Sequence, residues 1–263
     1  MPDFLTICEQ AARAGGQVLL DWIGRFAVRE KGPSDLVTQA DWASQEAIRQ
    51  IVLGAFGDHG FVSEEAEGPP DFSAEYCWVV DPLDGTTNYV HQMPHYAVSV
   101  ALLHRGRPIV GVVFDPVHGE CFSACRGRGT TLNGQPIHTS GVRAVSQALA
   151  AASFAAKTHM PSAEIDHFVA ALLNCQAVRR TGSAALNLCY VAAGRLDAFW
   201  ALSTKAWDVA AGALLVEEAG GIVTRLDGEP LDLATPHPVA SATRELHAEF
   251  LSLLQNAAPL GRR

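Results

Sequence analysis

The 263-residue sequence has no run of about eighteen apolar residues, no Cys-x-x-Cys pair and no excess of positive charge. The first absence argues against a membrane-spanning helix. The six cysteines are scattered, which argues against a structural zinc site and favours reduced thiols. A net charge of −9 repels nucleic acid and anionic membranes, so we expect neither as a partner. The start of the chain lacks the basic flank and apolar core of a secretory signal, and we expect a cytoplasmic protein.

Apolar residues make up 48% of the chain, which is enough to bury a large core. Short apolar runs separated by Gly and Pro predict strands, and apolar residues at helical spacing predict helices. The stretch from Lys31 to Thr38, with Gly32 and Pro33, is typical of a loop. Helices and strands alternate irregularly, so we expect a layered α/β or α+β fold. We expect one domain over 1–263, with possible sub-lobes over 1–140 and 141–263.

The individual predictions cover most of the chain. The predicted helices are Phe4–Ile23, Ala40–Leu53, Ala163–Leu173, Ser183–Ala193, Val209–Ala219 and Arg244–Gln255. The predicted strands are Phe61–Ser63, Cys77–Val80, Ala97–Leu103, Ile109–Phe114, Cys121–Cys125, Ala177–Arg180, Ala198–Ala201 and Ile222–Thr224.

The most informative stretch is Asp-Pro-Leu-Asp-Gly-Thr-Thr-Asn, which follows an apolar run. Asp81 stands at the end of that predicted strand, where open α/β sheets bind ligands, and Asp84 follows three residues later. Such a turn can bring two carboxylates and a carbonyl to one point, which suits a hard divalent cation. The N–H groups of Gly85 and Thr86 can then hold a phosphate nearby. The alternative is that Asp84 is only an N-cap and Asp81 only a turn former.

Two further acids strengthen the cation hypothesis. Glu64, in Ser-Glu-Glu, follows a second predicted strand, and Asp208, in Trp-Asp, precedes an apolar helix. Taken alone, Glu64 is typical of a solvated turn and Asp208 of an N-cap.

Together these segments resemble the inositol monophosphatase family of magnesium-dependent, lithium-sensitive phosphatases. The matching segments are SEE at 63–65, WVVDPLDGTTNYVHQMP at 78–94 and WDVAAGALLVEEAGG at 207–221. Weaker matches are DLVTQAD at 35–41, RGRGTTLNGQPI at 126–137 and TGSAALNLCYVAAGRLDAF at 181–199. They occur in the family's order, and the resemblance spans nearly the whole chain.

The resemblance implies a sandwich of alternating helix and sheet layers, assembled as a homodimer. It implies two or three magnesium ions, with Glu64 also supporting a third ion through water. The implied ligands are Glu64, Asp81 and the Leu83 carbonyl for one ion, and Asp81, Asp84 and Asp208 for another. Thr86, assisted by Asp41, would orient the attacking water, and Gly85 and Thr86 would donate N–H groups to the phosphate.

The implied reaction is direct in-line attack by water, without a phosphoenzyme. Haloacid dehalogenase phosphatases also read Asp-x-Asp-Gly-Thr, but their acids are two apart, whereas Asp81 and Asp84 are three apart. An EF-hand needs acids at alternate positions, which this stretch lacks. A catalytically inactive member that acts as a regulatory or interaction protein is a further alternative.

The substrate is less well defined by the sequence. Inositol-specific relatives carry a hydroxyl-binding glutamate seven residues before the Trp-Asp aspartate, and Ala201 stands there in this chain. Lys205 is a candidate for binding a second anionic group, and Ser183 and Ala184 match positions that line the family's substrate site. Inositol 1-phosphate is the leading substrate, and histidinol phosphate and fructose 1,6-bisphosphate are alternatives. Thr87 argues against the sulfur-assimilation nucleotidases, which usually have Lys or Arg there.

Overall fold

The computed structural model describes residues 3–25, 27–32, 35–66 and 68–259. Seven helices lie in these ranges: Phe4–Trp22 (α1), Gln39–Ala55 (α2), Thr86–Val90 (α3), Ala163–Asn174 (α4), Ala184–Ala192 (α5), Ala206–Glu218 (α6) and Arg244–Gln255 (α7). The same ranges contain fourteen strands: Val28–Gly32 (β1), Asp35–Thr38 (β2), Gly60–Ser63 (β3), Tyr76–Asp84 (β4), Ala97–His104 (β5), Arg107–Asp115 (β6), Glu120–Cys125 (β7), Thr130–Leu132 (β8), Gln135–Ile137 (β9), Leu149–Ser153 (β10), Ala177–Arg179 (β11), Ala198–Ala201 (β12), Ile222–Arg225 (β13) and Pro238–Ser241 (β14).

Most strands belong to two large sheets. The first has the order β3-β4-β5-β6-β7-β8-β9, with β3 and β4 parallel and the remaining pairs antiparallel. The second has the order β11-β10-β12-β14-β13, and its first three strands are parallel. The mixed α/β fold expected from the sequence is confirmed.

Helices and sheets alternate in layers. Helices α1 and α2 pack together on one face of the seven-stranded sheet, and α6 packs on its other face. Helix α5 lies beside α6, and both contact the five-stranded sheet, whose far side meets α4 and α7. In the described residues the buried apolar side chains form three clusters within these layers.

Strand β4 is buried on both faces, which explains why its sequence is almost continuously apolar. Trp78 and Val80 belong to the cluster beneath α1 and α2, while Cys77 and Val79 belong to the cluster around α5 and α6. Successive side chains of a strand point to opposite faces, so a strand covered on both sides needs apolar residues at every position.

Helix α6 packs closely against both the sheet and α5 because its surface is made of small residues. A Cβ at Gly111 in β6 would lie 2.9 Å from the carbonyl oxygen of Ala211. A Cβ at Gly212 would lie 2.6 Å from the Leu188 side chain in α5. These close approaches fix Asp208, at the start of α6, relative to the first sheet.

The loop expected over Lys31–Thr38 is wrong at both ends. Strand β1 runs to Gly32 and pairs antiparallel with β2, which begins at Asp35. The remaining residues of that predicted loop, Pro33 and Ser34, lie outside the described residues. The two strands are joined by backbone pairing, and their sequences lack the apolar alternation from which strands are predicted. The sub-lobes over 1–140 and 141–263 stay a prediction.

No helix in the described ranges has both the length and the apolar character to span a membrane. All six cysteines are free thiols.

Candidate active site

The ends of β3 and β4 bring two acids side by side. In the parallel pair, Ser63 lies opposite Val80, and the Glu64 N–H continues the ladder by donating to the Val80 carbonyl at 3.2 Å. The next residue of β4 is Asp81, which is 1% exposed. Each acid follows a strand, as the sequence predicts, and the parallel pairing of β3 with β4 brings both acids to the same end of the sheet.

A tight turn follows Asp81. Its carboxylate accepts a hydrogen bond from the Leu83 N–H at 3.0 Å, so Asp81 does form the turn expected of an aspartate before Pro. The Ser44 hydroxyl of α2 donates to the Pro82 carbonyl at 3.0 Å and holds the turn from below. The register of β4 with β5 shifts between Asp81 and Asp84, so the backbone bulges at the acids.

Gly85 ends the turn and begins α3. Its φ of +97° lies in the left-handed region, and a Cβ there would approach the His95 carbonyl to 3.1 Å. Only glycine takes this conformation without strain. The Thr86 hydroxyl, one residue later, donates to the Leu83 carbonyl at 3.1 Å. A short helix, α3, follows the Asp-Gly-Thr stretch, and its N-cap is Gly85 rather than Asp84.

Asp84 is bound to the start of a different helix, α5. Its carboxylate accepts hydrogen bonds from the Ser183 hydroxyl and from the N–H groups of Ala184 at 3.3 Å and Ala185 at 2.8 Å. The first N–H groups of a helix lack partners within the helix, and a negative charge there is stabilised by the helix dipole. Asp84 is thereby fixed in place across the two halves of the sequence.

Asp208 lies in the first turn of α6, not before the helix. The sequence predicted a helix from Val209, whereas α6 begins at Ala206 and Asp208 is its third residue. Its carboxylate accepts a hydrogen bond from the Lys205 N–H at 2.7 Å, as in a capping box. The Asp208 side chain thus accepts from the backbone N–H of the residue that precedes α6, and it also lies beside Asp81.

We call Glu64, Asp81, Asp84 and Asp208 the acidic centre, and the pKa values of its three aspartates are raised. Burial raises the pKa of Asp81 well above its usual range, and the charges of Glu64, Asp84 and Asp208 raise it further. Burial, and then the charges of Asp84 and Glu64, likewise raise the pKa of Asp208. Burial raises the pKa of Asp84 to about 6, although hydrogen bonds from Ser183 and α5 oppose the rise.

The acidic centre has the chemistry of a cation site. Within the described ranges, no lysine or arginine forms an ion pair with Asp81, Asp84 or Asp208. Buried carboxylates are costly unless a counter-charge accompanies them, and a divalent cation supplies one. No three Asp, Glu, His or Cys side chains in the described part of the chain already surround one point as metal ligands. Magnesium suits such a centre, because it takes only one or two carboxylates and completes its shell with water and phosphate.

Asp41 lies near the acidic centre but is bonded elsewhere. It is 1% exposed, and its carboxylate accepts hydrogen bonds from the N–H, at 2.8 Å, and the hydroxyl of Thr38, which caps α2. Burial raises the pKa of Asp41 to about 6, and the charge of Glu64 adds to the rise. Among the described hydrogen bonds, none joins Asp41 to Thr86.

A cavity of about 660 Å³ opens over the acidic centre. Of the residues predicted to bind phosphate or substrate, Asp84, Gly85, Thr86 and Ala184 line it. The described lining residues are Glu64, Asp81, Leu83, Asp84, Gly85, Thr86, Thr87, Asn88, His91, Met93, Ala152, Ser153, Phe154, Ala156, Arg180, Thr181, Gly182, Ala184, Ser203, Thr204 and Asp208.

Three predicted substrate residues are not part of this lining. Ser183 is fully buried, because it donates to Asp84 and caps α5 by accepting from the Leu186 N–H. Ala201 is fully buried because its side chain joins the core cluster around α5 and α6. Lys205 is exposed and contributes its backbone N–H to Asp208.

The sequence reading missed several residues that organise the site. The Asn88 side-chain amide donates to the carbonyls of His95 at 2.7 Å and Thr181 at 2.9 Å, so it ties the Asp-Gly-Thr segment to the segment before α5. Arg180 and Phe154 also line the cavity. The signal for Asn88 was its place directly after Gly-Thr-Thr, whereas no local pattern marks Arg180 or Phe154.

Comparison with known proteins gives a consistent result. A model of the inositol monophosphatase family matches residues 2–258. The chain is 39% identical to the Nus factor SuhB of Pseudomonas aeruginosa over 98% of both chains. Among solved structures, it resembles an inositol monophosphatase from Anabaena, with a TM-score of 0.88, 38% identity and coverage of 98% of this chain and 97% of that one. It also resembles the extragenic suppressor protein SuhB of Bartonella henselae, with a TM-score of 0.90, 33% identity and coverage of 96% and 98%.

Proposed function

The chain belongs to the inositol monophosphatase family, and we propose that it is a magnesium-dependent phosphatase acting on a small polyol or sugar phosphate. The observation that carries the proposal is the acidic centre. Its three aspartates line one cavity and are buried, and burial together with the charges of neighbouring carboxylates raises their pKa values. A site this acidic repels a phosphate ester unless cations reverse its charge.

In this proposal the acidic centre and one carbonyl hold the cations. Glu64, Asp81 and the Leu83 carbonyl would hold one magnesium ion, and Asp81, Asp84 and Asp208 a second, with a third supported by Glu64 through water. When bound, the ions supply positive charge that lowers the pKa of coordinated water and neutralises the phosphoryl oxygens. The Thr86 hydroxyl, which bonds to the Leu83 carbonyl, stands beside this set.

The remaining residues would position water and phosphate. Gly85 and Thr86 line the cavity, and their N–H groups would donate to the phosphate. Thr86 would orient the attacking water, with Asp41 as its assistant. The water oxygen bonds to phosphorus as the bond to the leaving oxygen breaks on the opposite side. The attacking water gives up one proton to solvent and the leaving oxygen takes one up, so the products are the alcohol and hydrogen phosphate. No enzyme-bound phosphate forms in this sequence.

Inositol 1-phosphate is the reference substrate on the family's pattern, with histidinol phosphate and fructose 1,6-bisphosphate as alternatives. Ala201 offers no carboxylate to a ring hydroxyl, and its burial leaves it no contact with a ligand in the cavity. A site without that polar partner loses discrimination among hydroxylated esters.

The proposal is tested by phosphate release from these three esters, measured with purified protein at increasing magnesium concentrations. Magnesium-dependent release supports it, and release that needs no divalent cation contradicts it. Trapping of a covalent phosphoaspartate would replace direct attack by the haloacid dehalogenase mechanism.

A second candidate function comes from the relatives that are named Nus factor SuhB. We propose as the alternative that this chain acts as a Nus factor, with or without phosphatase activity. The test is complementation in an Escherichia coli strain that lacks its own SuhB. Rescue by both the wild-type chain and Asp84→Asn would favour a role independent of hydrolysis, whereas rescue by neither leaves the phosphatase as the supported function.

We further propose that the protein is a cytoplasmic homodimer and that lithium inhibits it by taking the place of the second magnesium ion. Light scattering of the purified protein tests the dimer. Inhibition by lithium that is weakened in Asp208→Asn would support the site of action, since Asp208 belongs to the second metal set alone.

A further inference from the structure

One wall of the cavity is formed where three parallel strands end. In the five-stranded sheet, β10 runs between β11 and β12, with Ala151 opposite both Arg179 and Phe199. Just beyond the ends of these strands the chain supplies Arg180, Phe154 and Ser203 to the cavity. Ligands bind to open α/β sheets outside the carboxyl ends of their strands. The wall, which is distinct from the acidic centre, is therefore placed to contact the part of a substrate that leaves with the alcohol.

Arg180 is held against this wall by an aromatic ring. Its guanidinium carbon lies 5.1 Å from the ring centroid of Phe154, a cation–π contact. The Phe154 ring is itself fixed edge-on against Phe168 of α4, with centroids 5.4 Å apart and an interplanar angle of 77°. The ring contacts the guanidinium from one side, and the guanidinium carries five N–H donors that can serve a ligand.

The backbone that carries Arg180 is also fixed. The Thr181 carbonyl accepts a hydrogen bond from Asn88, and the Thr181 hydroxyl donates to Asn187 at 2.8 Å. Gly182 follows with a φ of +94°, and a Cβ there would lie 2.7 Å from the Asn88 amide. Arg180 thus stands at a defined place relative to the segment that contains Asp84.

Within the described residues, Arg180 is the only lysine or arginine that lines the cavity, and no described carboxylate pairs with it. Its neighbour Arg179 differs, because it donates to the Val178 carbonyl at 3.1 Å and is absent from the lining. The wall therefore brings one guanidinium without a carboxylate partner to the lining of the cavity.

We propose that Arg180 binds a second phosphate group on the substrate, so that the enzyme prefers small sugar or polyol bisphosphates to the matching monophosphates. This inference rests on the proposed phosphatase function. Arg180 stands three residues before Ser183, whose hydroxyl meets Asp84, so the connecting backbone spans at most about 11 Å. A six-carbon bisphosphate can bridge such a distance, with one phosphate at the acidic centre and the other on the guanidinium. Arginine binds phosphate through two parallel N–H···O bonds, which favours it for this role.

The experiment compares fructose 1,6-bisphosphate with fructose 1-phosphate as substrates for wild-type protein, Arg180→Gln, Arg180→Lys and Arg179→Gln. For wild type we expect the higher kcat/KM on the bisphosphate. Arg180→Gln should lower kcat/KM for the bisphosphate about ten- to hundred-fold more than for the monophosphate, mainly through KM. Arg180→Lys should keep part of the preference for the bisphosphate, because lysine retains the positive charge but cannot form the two parallel N–H···O bonds of a guanidinium. Arg179→Gln, the matched control, should keep the wild-type preference.

Other outcomes separate this inference from the proposed function. If neither ester is hydrolysed at any magnesium concentration, the phosphatase function fails and Arg180 loses its proposed role with it. If both esters are hydrolysed and Arg180→Gln lowers them equally, only the inference is overturned. Melting temperature and light scattering of each variant identify such an equal loss as a folding or assembly effect, which would also count against a binding role.

Discussion

The Ser183 hydroxyl donates a hydrogen bond to the Asp84 carboxylate, although the two residues are ninety-nine positions apart in the chain. The Asp84 carboxylate also accepts hydrogen bonds from the first two N–H groups of α5. One carboxylate of the acidic centre is therefore both a candidate metal ligand and the partner of a helix start. Stability and metal binding should therefore be coupled in the acidic centre.

Ser183→Ala should weaken both properties. It removes the hydroxyl donor to Asp84 and the cap that accepts from the Leu186 N–H at 3.1 Å. We expect the free energy of unfolding to fall by about 1–3 kcal/mol. We also expect the magnesium concentration for half-maximal activity to rise several-fold, because Asp84 is less well held. Ser183→Thr keeps the hydroxyl and should restore most of both.

Thr243→Ala is the matched control for this prediction. Thr243 caps α7 through a similar bond to the Leu246 N–H at 3.2 Å, away from the cavity. It should lower stability and leave the magnesium requirement unchanged. An unchanged magnesium requirement in Ser183→Ala as well would show that Ser183 only caps its helix.

Asp81→Asn should stabilise the metal-free protein. The raised pKa of Asp81 means that ionisation of this side chain is less favourable in the folded protein than in the unfolded chain. Asparagine removes that charge and keeps the oxygen that accepts from Leu83. In chelator, thermal unfolding should therefore give a higher melting temperature for Asp81→Asn than for wild type. With saturating magnesium the order should reverse, because a ligand at 100 times its Kd adds about 2.7 kcal/mol to wild type alone. Asp227→Asn, at an exposed ion pair, should show neither change.

Two helical glycines should respond oppositely to alanine. At Gly212 a Cβ would lie 2.6 Å from the Leu188 side chain, so Gly212→Ala should force α5 and α6 apart and cost about 1–3 kcal/mol. At Gly54, in α2, a Cβ would meet nothing within 4 Å, and Gly54→Ala should add about 0.5–1 kcal/mol. Chemical denaturation measures both. Equal effects of the two substitutions would contradict the close packing of α5 on α6.

Acid should destabilise the fold partly through His247. Its ring bonds to the hydroxyls of Thr224 at 2.9 Å and Ser241 at 3.1 Å, and burial lowers its pKa from 6.5 to about 4, with a further contribution from Arg244. The unfolded chain therefore binds this proton near pH 6.5, whereas the folded chain binds it only near pH 4. Stability from this group is fully present above pH 6.5 and falls as the pH drops from 6.5 to 4.

His247→Gln should flatten that part of the stability profile, measured by urea unfolding at a series of pH values. His237→Gln, at an exposed histidine, is the control and should leave the slope as in wild type. A slope that persists unchanged in His247→Gln would assign acid sensitivity to other groups.

The helices could be predicted because their apolar residues recur at helical spacing. The central strands could be predicted because they are covered on both faces and are therefore apolar at nearly every position. Strand β10 was missed, since Leu-Ala-Ala-Ala-Ser has little β-propensity and owes its place to small side chains packed between layers. Strand β14 was missed because it begins with Pro238, which ordinarily argues against a strand but is tolerated at its first position.

The acids of the site could be predicted because metal chemistry demands oxygen ligands and the Asp-Pro-Leu-Asp-Gly-Thr stretch concentrates them. The contacts that hold those acids could not be predicted, because each joins residues that are distant in the sequence. Ser183 donates to Asp84, and the side chains of Asn88 and Ser44 donate to the backbone carbonyls of Thr181 and Pro82. Arg180 escaped detection for the same reason, since only the parallel pairing of β10 with β11 brings it beside Phe154.

The central claim is tested most directly by phosphate release from inositol 1-phosphate and fructose 1,6-bisphosphate, measured against magnesium for wild type and Asp84→Asn. Asparagine at position 84 retains an oxygen to accept from α5, so the variant should fold while losing a metal ligand. We predict release that rises with magnesium in wild type and falls at least about a hundred-fold in the variant. Release from neither ester at any magnesium concentration, or equal release by the two proteins, would contradict the account.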